Sequence, residues 1–152
     1  MKQWKRAGTI GILAMATVAA YAQWTPPAED VPAYHAAPPV KGATLPPILG
    51  GTQLTGPNFT RPWQVAVYKM AAKDGRVLYQ LPCNCRCDRG LGHQSLRSCF
   101  EGLHGAECLT CAQEGVYAYR MTMQGKTVKQ IRDGIANKEY MSIDLNSIQS
   151  GI

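Results

Sequence analysis

Hydrophobic residues recur at helical spacing in four segments after residue 61, and no segment shows a convincing strand pattern. The first segment begins at Pro62, because proline suits the first position of a helix, and it ends near Gly75. We therefore predict a first helix that buries one hydrophobic face. That face would consist of Trp63, Val67, Met70 and Ala71.

The same periodicity predicts three further helices. The second begins at about 93–95 and ends before Gly105, and the third covers about 107–123. The fourth follows Thr127, which forms a capping-box pattern with Gln130. The fold class predicted is therefore all-α, a small bundle of about four short helices with a Cys-rich loop. The inner faces of helices two to four would consist of Leu96, Cys99, Phe100 and Leu103, of Leu109, Ala112, Val116, Tyr119 and Met123, and of Val128, Ile131 and Ile135.

The N-terminal residues have the pattern of a secretion signal. A basic start is followed by an apolar run from Ala7 to Ala20 and by a small-x-small cleavage site that ends at Ala22. We predict a signal peptide over 1–22 and an extracytoplasmic location, either periplasmic or secreted. No membrane span would remain after cleavage, and an uncleaved N-terminal anchor is the alternative.

Between the signal and the helices, residues 23–61 are rich in proline and glycine, which predicts an extended linker or tether without regular structure. His35 would be solvated in this tether. The helical domain is predicted over 62–141, followed by a C-terminal tail over 142–152. A domain of this size buries a small core, so we expect it to need an additional cross-link or bound metal ion for stability.

The charge pattern excludes some classes of partner. The formal net charge is +6, but three of the positive charges lie in the signal, at Lys2, Lys5 and Arg6. The remaining basic residues are scattered among acidic ones, so we predict no nucleic-acid binding. The chain also lacks a phosphate-binding loop and a hydrolase triad, and an enzyme is the less favoured interpretation.

All six cysteines of the chain lie between Cys83 and Cys111. In the run Cys83-x-Cys85-x-Cys87 an extended strand would point the middle side chain away from the other two, so convergence requires a curled backbone. Thiolates and imidazoles are ligands for soft transition metals. Eight residues are therefore candidate metal ligands: Cys83, Cys85, Cys87, His93, Cys99, His104, Cys108 and Cys111.

Three interpretations of these residues stay open from the sequence. The first is a site for a transition metal ion, which would be copper, zinc or an iron-sulfur cluster, in a protein that stores, carries or senses metal. The second is a thiol-disulfide redox protein, in which Cys108 and Cys111 or the run that begins at Cys83 cycle between dithiol and disulfide. The third is a disulfide-stapled interaction module without chemistry, because disulfides form outside the cytoplasm. Another envelope protein is a further candidate partner.

The segment from about Pro62 to Met141 resembles the bacterial domain family named for its PCYCGC motif. Asn84 replaces the tyrosine of the motif, and Arg86 replaces the glycine that follows its second cysteine. The resemblance implies a domain whose cysteines matter but names no reaction, and selenoprotein-like relatives imply redox chemistry. The matching positions are Pro82, Cys83, Cys85, Cys87, Gly92, His93, Cys99, Phe100, His104, Cys108, Cys111, Gly125, Lys126, Ile131, Arg132 and Tyr140.

Overall fold

The computed structural model describes residues 30–149. The predicted signal peptide, the first residues of the predicted linker and the last three residues of the chain lie outside this range. The described residues from Val31 onward belong to one compact unit.

Within residues 30–149 the chain forms α-helices and short 3₁₀ helices and contains no strand, which confirms the all-α prediction. The α-helices are α1 (Pro62–Leu78), α2 (Cys87–Leu91), α3 (His104–Glu107), α4 (Leu109–Met123) and α5 (Val128–Ala136). The 3₁₀ helices are Gly51–Gln53, Leu96–Phe100, Glu139–Ser142 and Leu145–Ser147. In this part of the chain no helix is long and apolar enough to cross a membrane.

Helix α1 begins at Pro62 as predicted, and the face predicted to be buried is buried. The backbone N–H of Arg61 donates to the side chain of Gln64, which satisfies a donor at the helix start. The helix does not end near Gly75 but bends at Asp74, whose φ and ψ are −112° and 15°, and continues to Leu78. Thr122 of α4 donates a hydrogen bond to the Asp74 carboxylate at 2.9 Å, so the bend connects the two longest helices.

The predicted second helix is divided into a 3₁₀ helix, Leu96–Phe100, and the short α3. The chain bends between them, which leaves Leu103 42% exposed instead of on an inner face. Helix α4 begins at Leu109, two residues later than predicted, and Leu109 and Met123 at its ends are exposed. Helix α5 follows the predicted cap at Thr127.

Phe100 lies at the centre of the packing between α1 and α4. Its side chain is fully buried, and its ring lies 5.3 Å from that of Tyr68 in an edge-to-face arrangement. The ring fits against Gly115 in the middle of α4, where a Cβ atom would be 2.8 Å from the Cζ atom of Phe100. Only a residue without a side chain allows this approach between helix and ring.

We expect Gly115→Ala to destabilise the domain by about 1–2 kcal/mol, because the added methyl group overpacks the core by more than the helical preference of alanine offsets. Urea unfolding followed by circular dichroism measures this change. Gly90→Ala is the matched control, since Gly90 is also helical but has no atom within 4 Å of its Cβ position. Equal unfolding free energies for the two variants would contradict the packing argument.

Residues 31–61 contain no α-helix, as their composition predicts, but they lie along the helical domain. The His35 ring is stacked on Tyr79 with 3.7 Å between centroids, so it is half-buried and not solvated as predicted. The backbone N–H of Leu49 donates to the carbonyl of Phe100 at 3.0 Å. The described part of the linker therefore packs as a strap on the domain.

The predicted C-terminal tail also contributes to the core. Ile143, Leu145 and Ile148 are buried, and Gln113 of α4 donates a hydrogen bond to the carbonyl of Ile143 at 2.9 Å. The packed region thus extends beyond the predicted boundary at residue 141.

Candidate metal centre

The six cysteines converge on one place between the N-terminus of α4, helix α2 and the 3₁₀ helix Leu96–Phe100. All six are free thiols, and the sulfur atoms of Cys111 and Cys99 lie 3.2 Å apart. A disulfide would require about 2.05 Å. Further sulfur contacts are Cys83–Cys85 at 3.3 Å, Cys83–Cys111 at 3.3 Å, Cys85–Cys111 at 3.4 Å and Cys87–Cys99 at 3.5 Å.

The run Cys83-x-Cys85-x-Cys87 has the curled backbone that convergence requires. The N–H of Arg86 donates to the carbonyl of Cys83 at 3.3 Å, which closes a turn. Arg86 itself has φ of 61° and ψ of 28°, in the left-handed region, and α2 begins at the next residue. This is the position at which the PCYCGC motif has glycine, so the replacement by arginine places a side chain in a strained conformation.

We expect Arg86→Gly to be more stable than Arg86→Ala by about 1 kcal/mol, because only glycine adopts a left-handed conformation without steric cost. Both variants lose the ion pair between Arg86 and Asp88. The difference in their stability therefore measures the cost of the left-handed backbone conformation at this position. Thermal unfolding of the two proteins measures it.

The same pair of substitutions at Lys129 is the control. Lys129 is exposed, is the second residue of α5 and also pairs with a carboxylate, that of Asp133. There alanine should be the more stable replacement, because glycine is less favourable than alanine in a helix. If the glycine variant were the more stable one at both positions, or the alanine variant at both, the result would contradict the conclusion that Arg86 is strained.

Two histidines complete the cluster. The Nδ1 atom of His93 lies 3.4 Å from the sulfur of Cys99, and the Nε2 atom of His104 lies 3.6 Å from the sulfur of Cys85. The two rings face each other edge to face at 5.3 Å. All eight residues predicted as ligands therefore lie in this cluster, and His35 does not.

The ligand atoms form three overlapping groups of four, and within each group all atoms lie within 4.8 Å of one another. The inner group is buried, while the second and third groups contain half-exposed residues. Four donors at such distances are the usual number for a tetrahedral zinc or copper site. The inner group is Cys83, Cys87, Cys99 and Cys111; the second is Cys85, His104, Cys108 and Cys111; the third is Cys87, His93, Cys99 and His104.

Protons are distributed unevenly over the thiols. Hydrogen bonding with Cys111 lowers the pKa of Cys85 and Cys87 below that of an ordinary thiol, and it lowers the pKa of Cys108 to about 7. The pKa of Cys111 is raised, since it hydrogen-bonds with Cys108 and with Cys83. A metal ion that binds all these sulfurs would have to displace the proton held by Cys111.

One residue of this region, Glu114, was missed by the sequence analysis. It is fully buried in α4, one turn after Cys111, and accepts a hydrogen bond from the backbone N–H of Asn84 at 2.9 Å. Burial raises its pKa to about 8, against the effect of its hydrogen bond with Cys83. The spacing Cys108-x-x-Cys111-x-x-Glu114 was the available signal, because it places all three residues near one helix face.

Asn84 and Glu114 support the site without belonging to any of the three ligand groups. The side-chain amide of Asn84 donates to the carbonyl of Ile135 at 3.0 Å, so the Cys83–Cys87 loop is attached to both α4 and α5. This attachment holds the first three sulfurs against Cys111.

Comparison with known proteins gives one match. A sequence model of a family described as "Protein of unknown function with PCYCGC motif" matches residues 57–142, more than half of the chain. The matched range includes the whole cysteine and histidine cluster, so the resemblance seen in the sequence is confirmed. No curated protein and no solved structure matches the chain.

Proposed function

This chain belongs to the PCYCGC-motif family, and we propose that its helical domain binds a thiophilic transition metal in order to store, carry or sense it. The observation that supports this most directly is the inner group of four buried thiols, whose sulfur atoms all lie within 4.8 Å of one another. The family description names no activity, so the proposal depends on the chemistry of the cluster.

The pattern of sulfur contacts favours metal over disulfide stapling. A disulfide pairs each sulfur with one partner, whereas Cys111 lies within 3.4 Å of the sulfurs of Cys83, Cys85 and Cys99. The ligands of one metal ion surround it, so each sulfur lies close to several others. The stapled module is therefore the weaker interpretation.

Electrostatics supports the same choice. Six thiols lie in one largely buried place, and several ionised sulfurs there would repel one another. A bound cation offsets this repulsion and satisfies the buried sulfurs by direct bonds.

The distances favour zinc or copper(I) over an iron-sulfur cluster. Ligands about 2.3 Å from a shared ion lie about 3.8 Å apart at tetrahedral angles, so the inner sulfurs, at 3.2 Å and 3.3 Å from Cys111, would have to separate by only about 0.5 Å to bind one ion. The iron and sulfide core of a cluster would stand between the cysteine sulfurs and hold them further apart.

A thiol-disulfide redox function is the second candidate, and the character of Cys108 supports it. This thiol is half-exposed at the N-terminus of α4 and has its pKa lowered to about 7, while its partner Cys111 is buried. A low-pKa, accessible thiol with a buried resolving thiol is the usual arrangement of a redox pair. In this alternative Cys108 would exchange with a disulfide of an envelope protein.

We propose an extracytoplasmic location, and a metal-donating or metal-accepting envelope protein as partner, on the basis of the signal-like N-terminus. The test is intact mass and metal analysis of the full chain purified from its own compartment without added reductant. We expect stoichiometric zinc or copper and six reduced cysteines. Three disulfides without metal would overturn the metal proposal.

A further inference from the structure

The inner and second ligand groups share one atom, the sulfur of Cys111. We propose that the centre holds two metal ions bridged by the Cys111 thiolate, an inference that rests on the metal-binding function proposed above. One ion would occupy the buried four-thiol group, and the other the group of Cys85, His104, Cys108 and Cys111.

The position of Cys111 suits a bridge. Its sulfur contacts two members of the inner group, Cys83 at 3.3 Å and Cys99 at 3.2 Å. It also contacts Cys85 of the second group at 3.4 Å. A thiolate sulfur has several lone pairs and binds two soft cations at once, so one bridge gives both ions four ligands.

The third group does not provide a further complete site. It takes Cys87 and Cys99 from the inner group and His104 from the second, and adds only His93. A third ion there would have to share Cys87 and Cys99 with the inner ion and His104 with the second, which leaves it one ligand of its own. Two ions is therefore the number at which the ions share a single ligand.

The two sites differ in access to solvent. The inner thiols are at most 6% exposed, whereas Cys85, His104 and Cys108 are half-buried. The inner ion is enclosed by protein, and the second ion lies at the surface. Exchange with solvent or a partner should therefore begin at the second site, and the Cys111 sulfur connects it to the inner one.

Cadmium-113 NMR of the full chain, reduced and loaded with ¹¹³Cd²⁺, tests the proposal. We expect two bound cadmium ions per chain by native mass spectrometry and two resonances, with the four-thiolate signal at higher frequency. A scalar coupling between the two cadmium nuclei should appear, because such coupling is transmitted through a shared sulfur atom.

The alternative outcomes separate the two proposals. One cadmium ion with one resonance would overturn the two-ion centre and leave the metal-binding function in place. Two ions without mutual coupling would overturn the Cys111 bridge. Absence of tight cadmium binding would overturn both proposals.

The double variant Cys85→Ser and Cys108→Ser locates the second ion. We expect it to bind one cadmium ion, to keep the four-thiolate resonance and to lose the coupling. His35→Ala is the control, because His35 lies on Tyr79 outside the cluster, and it should bind two ions. Two ions in the double variant would overturn the assignment of Cys85 and Cys108 to the second site. If the variant does not fold, the cadmium–cadmium coupling in the unmodified chain still shows whether Cys111 bridges the two ions.

Discussion

Replacing Cys111 by serine should weaken metal binding more than any other single cysteine substitution. Cys111 belongs to both the inner and the second ligand groups, and its sulfur lies within 3.4 Å of the sulfurs of Cys83, Cys85 and Cys99. Structural zinc sites contribute about 10–16 kcal/mol, so one of four ligands accounts for about 3–4 kcal/mol, or about 100- to 1,000-fold in affinity. Competition with a chromophoric chelator measures the loss.

Cys108→Ser is the matched control for this experiment. Cys108 lies in the second group alone and is half-exposed, so its loss leaves the four inner thiols intact. We expect the affinity of this variant for the ion at the four inner thiols to stay within about tenfold of that of the unmodified chain. Equal losses for the two variants would contradict the central position of Cys111.

The redox alternative predicts that Cys108→Ser, not Cys111→Ser, is the variant that loses function. There Cys108 is the attacking thiol, so Cys108→Ser would abolish exchange with a disulfide substrate. The same pair of variants therefore distinguishes the two functions. A chain that exchanges disulfides rapidly and binds no metal would favour the redox function.

The helices were predictable because the residues that start them and the spacing of their hydrophobic residues can be read within one short segment of sequence. Pro62 and Thr127 mark helix starts, and the buried faces of α1 and α5 follow the spacing of their hydrophobic residues. The curl of the Cys83–Cys87 run was also predictable for a shared site, since three alternating cysteines can meet only on a curled backbone. The left-handed conformation of Arg86 is the local feature that produces this curl.

Other features depend on contacts between distant residues. The strap over 31–61 is held by the stack of His35 on Tyr79 and by the hydrogen bond from Leu49 to Phe100, and neither leaves a periodic signal in the sequence. Helix α2 is only five residues long, Cys87–Leu91, and was not predicted because so short a segment shows no periodicity.

The grouping of the ligands could not be predicted either. All eight residues were identified by type, but six cysteines allow many pairings, and the sequence does not show that Cys111 would lie at the centre. The buried position of Glu114 likewise follows from packing of the Cys83–Cys87 loop against α4. Sequence thus supplied the donors, and tertiary packing decided which of them share an ion.

Packing also makes the cluster part of the core. Cys83, Cys87, Cys99 and Cys111 are buried within the same hydrophobic cluster as Phe100 and the inner faces of α1 and α4. The inner site joins the Cys83 loop, α2, the 3₁₀ helix and α4, segments that are otherwise connected by short or irregular chain. An ion at this site would therefore act as the cross-link that the small domain needs.

Removal of the metal should lower the unfolding temperature of the domain by on the order of 10–15 °C, the second large effect that we expect. An ion that binds the folded chain and not the unfolded one stabilises it by about 4 kcal/mol at a thousandfold excess over its Kd. Each kcal/mol corresponds to about 3–4 °C in a domain whose size lies between the small and the medium class. Calorimetry of the zinc-loaded chain with and without a chelator, under reducing conditions, measures the shift.

Cys111→Ser is the control that tests whether the change in unfolding temperature comes from metal bound at the cysteine cluster. Since the variant lacks a ligand of both groups, chelator should change its unfolding temperature by only a small fraction of the effect on the unmodified chain. A shift of equal size in both proteins would mean that the stabilising ion binds elsewhere, and no shift in either would exclude a structural metal. A large shift confined to the unmodified chain is the result expected if the ion joins α2 and α4 through Cys87 and Cys111.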